Sequence, residues 1–422
     1  MIARLLRSVL LGLALTARAI HAQPQPQASP TVREPGSDVA VTLITFGVGH
    51  EVFERFGHNA LRFQNANTGE DVAYHWGLFS FSEPGFLLRF LTGETKYWMG
   101  AVDPIALIES ERRAGRPITM QRLNLTSAQT IRLQEFVRWN ALDANKFYRY
   151  DYYRDNCSTR LRDALDQALG GTLKRASDTV RTSISYRNES VRLTDGDAPV
   201  QLGIDVALGR RADAALTQWE SYFIPMRLRD GLRKVRVTGP DGVEVPLVAG
   251  EQVPAMPLGV TPTPEAERPP ALLWRYAPVG LMLGAMVMLL RVLMVSRRWA
   301  AVTLGVFGSV WSLLCGVLGV VLLLAWFATR HHFWARNETD LLLTPISLAL
   351  VVLIPAALIW GRSVRVARAM GVVVAALGIV ALLLALIPGG QDSIALVAML
   401  LPTHLALAWA LGDVARIPKR VS

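Results

Sequence analysis

The residues best suited to covalent chemistry are one cysteine and two histidines. The 422-residue chain has two cysteines, and one of them, Cys315, lies in an apolar stretch near the C-terminus. The other, Cys157, stands in the polar run Asp151-Tyr152-Tyr153-Arg154-Asp155-Asn156-Cys157-Ser158-Thr159-Arg160. A thiol becomes a strong nucleophile when a neighbouring base takes its proton, and histidine is the usual base. His58 opens the stretch Gly57-His58-Asn59-Ala60-Leu61-Arg62-Phe63, and His75 lies in Tyr74-His75-Trp76-Gly77-Leu78-Phe79. His58 is the expected base, and His75 is read as a second catalytic histidine or an orienter of His58. His50 follows a Gly-rich turn and is the weaker third. The dull alternative for Cys157 is a small buried hydrophobe, which its charged flanks oppose.

Positioning such groups takes strands and a helix start. Val39–Phe46, Asn59–Phe63 and Val72–Phe81 read as strands, the last two separated by the turn-forming Asn65-Ala66-Asn67-Thr68-Gly69. Thr126–Asn140 reads as a helix in which Thr126 and Gln129 are spaced as a capping box. Leu161, Ala164, Leu165, Ala168 and Leu169 follow helical spacing up to Gly170-Gly171. Asp155 or Asn156 is then the N-cap, and Cys157 falls at the first turn. Free backbone N–H groups and the positive helix end would stabilise a thiolate there, so a depressed thiol pKa is expected. Val235–Val237 and Val243–Val245 flank Pro240-Asp241-Gly242 as a late hairpin.

The compartment follows from charge and hydropathy. Arg4 and Arg7, the apolar Val9–Leu15 and small residues to Ala22 make a signal-peptide pattern over 1–22. A Gln/Pro-rich spacer covers 23–38, an exported domain 39–252, a Pro-rich tether 253–273, a membrane domain 274–412 and a tail 413–422. The membrane domain contains five apolar runs, Ala277–Val295, Ala300–Ala328, Leu341–Trp360, Met370–Ile387 and Ile394–Leu411. Arg297, Arg298, Arg362, Arg365, Arg368, Arg416, Lys419 and Arg420 lie on alternate connections, which places the C-terminus in the cytoplasm and the N-terminal domain in the periplasm of a bacterial inner membrane. A lone exported thiol needs a reason to survive in an oxidising compartment, which strengthens the nucleophile reading. The net charge of +10 is carried largely by these anchors, so anionic lipid and not nucleic acid is the expected counterpart. No cofactor is expected, and no carboxylate at ligand spacing joins His331-His332 to suggest a metal.

The segments Gly57–Arg62, Tyr74–Phe79 and Asp155–Arg160 resemble the Lnb N-terminal periplasmic domain family, named for a membrane lipoprotein N-acyltransferase. Histidine well ahead of cysteine is also the order of circularly permuted papain-like folds. The resemblance implies an α+β exported domain of permuted papain-like or NlpC-like type, followed by an all-α membrane domain of about five transmembrane helices. It implies Cys157 as nucleophile and His58 as base. The neighbouring motif positions Asn156, Asp155, Arg160, Arg62 and Tyr74 are then expected beside the substrate. The exported loop Arg330–Glu338 resembles the family's histidine-then-asparagine loop, which adds His331, His332 and Asn337.

The activity so implied is acyl transfer through a Cys157 thioester, with a membrane lipid or lipoprotein as substrate and a lyso-form lipoprotein as product. The alternatives are an NlpC-like cysteine peptidase or amidase acting on cell-wall peptides, and a non-catalytic membrane receptor or scaffold. Oligomeric state is not legible in the sequence.

Overall fold

A computed structural model describes residues 34–239 and 241–412. The expected signal peptide, most of the spacer and the tail with Arg416, Lys419 and Arg420 lie outside the described residues.

The N-terminal half is built on an antiparallel seven-stranded sheet. Its strands are β1 (Val39–Phe46), β2 (His58–Asn65), β3 (Asp71–Leu78), β4 (Lys96–Val102), β5 (Ile118–Leu123), β6 (Phe147–Arg149) and, after the separate hairpin β7 (Arg236–Thr238) and β8 (Glu244–Pro246), β9 (Val248–Gln252). Their order is β6-β4-β3-β2-β1-β5-β9. Strand alternation divides the side chains between two faces. Val41, Leu43, Leu61, Phe63, Tyr74, Trp76 and Met99 form one buried layer. Ile44, Phe46, Ala60, Ala73 and Ile118 form the other.

Helices cover both faces. α1 (Phe86–Thr92) and α2 (Pro104–Arg113) bracket β4, and Leu107 and Ile108 of α2 pack on the Ala60–Ala73 layer. α3 (Ser127–Asn140) and α4 (Cys157–Ala168) supply Leu133, Val137, Leu161 and Leu165 to the other layer. Thr126 caps α3 with the expected reciprocal pair to Gln129. α5 (Thr172–Ser177), α6 (Tyr186–Leu193), α7 (Ala198–Ala207), α8 (Gln218–Ser221) and α9 (Pro225–Leu232) follow. Buried Arg187 of α6 fixes α7 through Asp205 (2.8 Å) and fixes the following turn through Asp213 (2.6 Å).

The C-terminal half contains α10 (Leu272–Leu293), α11 (Arg298–Ala328), α12 (Ser347–Leu358), α13 (Val364–Leu386) and α14 (Ile394–Gly412). Among the described residues, four of these are long and apolar enough to cross a membrane, and α12 is shorter. The expected third span, Leu341–Trp360, is thus not one continuous helix. Pro345 has no N–H to donate and pushes Thr344 out of helical geometry, so the run, which follows a 3-10 turn ending at Leu341, becomes α-helical only at Ser347.

Small residues set the helix contacts, as expected where backbones must approach closely within lipid. Gly319, Gly316, Gly308 and Gly305 of α11 face Leu343, Leu348, Ile354 and Ile359 in that order, so α12 runs antiparallel to α11. Gly280 and Gly284 of α10 face Met399 and Pro402, so α14 runs parallel to α10.

The two halves are joined by the loop between α11 and α12. Phe333, 1% exposed, inserts into an aromatic cluster of the N-terminal half, with ring centroids 4.7 Å from Tyr153 and 4.8 Å from Tyr186. Gly209 donates its N–H to the Phe333 carbonyl (2.7 Å). Gln391 bonds to Leu208 O (3.1 Å), Asn337 Oδ1 (3.0 Å) and Thr339 Oγ1 (2.9 Å), closing the junction.

Candidate active site

Cys157 is the first residue of α4, and Asn156 before it is the N-cap. The Asn156 side chain accepts from Ser158 N and Thr159 N (2.9 Å each) and donates to Tyr152 O (3.0 Å) and Phe223 O (2.9 Å). All its hydrogen-bonding capacity goes into fixing the helix start. Ser158 donates to Tyr222 O (2.6 Å) and accepts from the Asn59 amide (3.2 Å), which ties the same turn to β2.

The β2–β3 ladder runs from Gln64↔Asp71 to Leu61↔Tyr74 and stops there. β3 then bulges between Trp76 and Leu78 where it pairs with β4. Gly77 in the bulge has φ +92°, a region costly for any side chain, and a Cβ there would lie 3.4 Å from Cys157 Cβ. The opening lets Cys157 approach the sheet from the α4 side. Backbone N–H groups of Asn59, Ser158 and Cys157 itself lie close to its sulfur. They favour the thiolate, but burial outweighs them and pushes the thiol up to about 11. The expected depression of this pKa is therefore corrected. The helix start is present, but the thiol at it is buried (8% exposed) and protonated at neutral pH.

His58 and His75 share the parity of Ala60 and Ala73 and point to the α2 side of the sheet. His58 Nε2 lies 2.8 Å from His75 Nδ1. Burial holds His58 well below its ordinary value, with further lowering from His75 and from Arg116. Burial alone brings His75 down to about 4. Both imidazoles are neutral at pH 7. Among the described residues no hydrogen bond joins either ring to Cys157. All three groups nevertheless line one cavity of about 1140 Å³, which reaches both faces of the sheet where the ladder opens.

Other residues of the cavity were not expected at the site, although the run Phe86–Leu91 reads in the sequence as core or as an aromatic-apolar surface dipping into lipid. Arg116, 4% exposed, reaches it from the turn after α2, bonded to Glu111 (2.8 Å) and Gly47 O (3.1 Å). Phe79, Phe81, Phe86 and Phe90 form an aromatic wall. Only the fold brings these positions together, since no spacing rule links a loop, a short helix and a strand end.

The remaining expected site residues divide. Asn156 and His331 line the cavity. His331 Nε2 bonds to Phe90 O (3.1 Å), and its ring stacks on Trp334 (4.6 Å). Asp155 and Arg160 pair with each other (2.6 and 2.8 Å), with Arg160 over the Tyr148 ring. Arg62 pairs with Asp71 (2.7 Å), and Tyr74 packs against Phe63 in the core. Asn337 gives its amide to Val206 O (2.7 Å) and Ala207 O (3.1 Å) at the junction of the halves. His332 is exposed. None of these last six lines the cavity. No group of three or more His, Cys, Asp or Glu suited to a metal occurs among the described residues.

No curated protein and no solved structure matches the chain. The model of the Lnb N-terminal periplasmic domain matches residues 31–186, a span that contains His58, His75 and Cys157. With its membrane-capable helices, the chain is a membrane-associated protein whose N-terminal domain is periplasmic. Residues 31–186 belong to the Lnb N-terminal periplasmic domain family.

Proposed function

We propose that the protein is a thiol-dependent acyltransferase that moves a fatty acyl chain from the membrane-embedded diacylglyceryl group of a lipoprotein to the α-amine of that lipoprotein's N-terminal cysteine, leaving a lyso-form lipoprotein as product. The observation that carries this reading is one cavity holding Cys157, His58 and His75 beneath a mainly apolar wall that continues toward the membrane helices. A cell-wall peptide would need polar walls, whereas an acyl chain needs apolar ones.

The resting thiol and imidazoles are neutral, so proton transfer accompanies attack. Cys157 Sγ bonds to the ester carbonyl carbon as His58 takes the thiol proton. Backbone N–H groups at the Cys157 helix start, with that of Asn59, face the developing negative charge. The C–O bond to glycerol breaks, and the leaving oxygen recovers the proton from His58. The acceptor amine then bonds to the thioester carbon, the C–S bond breaks, and the amine proton returns to the thiol through His58. His75 holds the His58 ring in one tautomer throughout.

The test is mass spectrometry of lipoprotein N-termini in a strain that lacks other N-acylation. Wild-type protein should give N-acylated lyso-forms, and Cys157→Ser and His58→Ala should not. A buried, protonated thiol also suits a packing cysteine in a non-catalytic receptor. In that case Cys157→Ser behaves as wild type.

For the membrane half we propose five crossings with the C-terminus in the cytoplasm. Two features support this: α10 and α14 run parallel, and the α11–α12 and α13–α14 loops both contact the periplasmic domain.

A further inference from the structure

α1 has no buried residue, and its Leu87 and Leu88 are each 67% exposed. Phe90, Leu91, Phe81 and Phe53 continue the patch, and Phe53, Phe79, Phe81 and Phe86 meet edge-on or stacked. A contiguous apolar surface of this kind marks an interaction site. Its attachment identifies the occupant. Arg330, just past the end of α11, donates its N–H to Thr92 O (2.9 Å) and bridges Glu94 (2.5 Å). Gly93 packs directly on the Arg330–His331 backbone. α11 is a 31-residue apolar helix that ends in the stacked, exposed Trp326 and Phe327. Such aromatic pairs sit at membrane–water boundaries. α1 is thus fastened where α11 leaves the hydrocarbon.

The cavity wall opposite α1 is also tied to the membrane half. α7 turns Val200, Gly203, Ile204 and Ala207 to the cavity, while its Leu202 and Val206 pack with Tyr276 and Leu341 in the cluster of the membrane helices. A Cβ on Gly203 would meet nothing within 4 Å, so this wall is open space. The cavity is therefore lined by two apolar elements that are both anchored to transmembrane helices.

We propose that α1, with Phe53 and Phe81, is a lip immersed in the periplasmic leaflet, and that the gap between α1 and α7 is a lateral entrance through which one acyl chain of a membrane lipid passes toward Cys157. The destination of the chain rests on the acyl-transfer reading. The lip and the entrance do not, and they are tested without turnover.

The full-length protein in lipid nanodiscs, with Cys157→Ser and Cys315→Ala, would carry a fluorophore on Leu88→Cys, Leu91→Cys or, as a control, Asn67→Cys. Spin-labelled lipid should quench the first two probes and spare Asn67, while aqueous iodide should do the reverse. Equal quenching at Leu88 and Asn67 would overturn the lip, as would crosslinks between Leu88 positions of two copies. A lipid with a photoreactive group near its chain end should crosslink the segment 200–207, and Gly203→Phe or Val200→Phe should lose most of that product. If neither substitution changes the crosslink, or if none forms, the entrance is wrong. If quenching and crosslinking both hold but lipoproteins remain unacylated, the acyl-transfer reading fails and the lipid entrance stands.

Discussion

His58 Nε2 sits 2.8 Å from His75 Nδ1 with the ring planes at 87°, and neither ring bonds to Cys157. One nitrogen of the pair must carry hydrogen and the other a lone pair, so each ring fixes the tautomer of its neighbour. A proton added to His58 meets burial first, then His75, then the Arg116 charge. The site thus holds neutral base and neutral thiol in one cavity, and no ion pair.

Alkylation of Cys157 should accordingly be slow at neutral pH and keep accelerating beyond ~8.5, the value of free cysteine, because burial pushes the thiol up to about 11. His58→Ala should leave this profile unchanged while abolishing acyl transfer. A midpoint below that of free cysteine, shifted upward in His58→Ala, would instead indicate an imidazolium–thiolate pair.

Stability should fall with acid in a defined window. Unfolded histidines titrate near ~6.5, whereas folded His75 titrates at about 4. Between these values the unfolded chain binds more protons, so stability is complete above the upper value and is lost as pH falls toward the lower one. His75→Gln should flatten the melting temperature against pH over that interval relative to wild type.

Asn156→Ala should destabilise the periplasmic domain by about 2–4 kcal/mol, since it removes a helix cap and leaves buried carbonyls unpaired. Asn156→Asp keeps the two accepted N–H bonds but cannot donate to Tyr152 O and Phe223 O, so it should recover only part of the loss. Urea unfolding followed by tryptophan fluorescence measures both.

Gly319→Ala would place a methyl group on the Leu343 carbonyl, and overpacking of this kind costs about 1–3 kcal/mol. Gly412 has no neighbour within 4 Å of an added Cβ, so Gly412→Ala should be neutral. Thermal stability of the two variants in one detergent decides the matter.

A cysteine-specific, membrane-impermeant probe should label His332→Cys in intact cells with the outer membrane opened. Arg362→Cys should react only after the inner membrane is breached. The reverse pattern would invert the proposed topology.

Local chemistry wrote much of this structure into the sequence. The β-branched run Val39–Phe46 is β1 to the residue, because one face of that strand packs against α4 and the other against α2. Thr126 with Gln129 and Asn156 before Cys157 announce helix starts, since the groups that satisfy the first N–H donors lie within three residues. The apolar runs announce membrane helices because lipid demands length and composition. What depends on contacts distant in sequence had to come from the tertiary structure. The thiol pKa follows from burial that the polar flanks of Cys157 concealed. The His58–His75 pair follows from a shared strand parity, and its meeting with Cys157 in one cavity follows from a ladder that ends at Leu61↔Tyr74. Asn337, in a loop that resembles a family motif, is held by α7 carbonyls and Gln391, partners more than fifty residues away. Spacing records neighbours along the chain, whereas burial and convergence are set by the whole packed molecule.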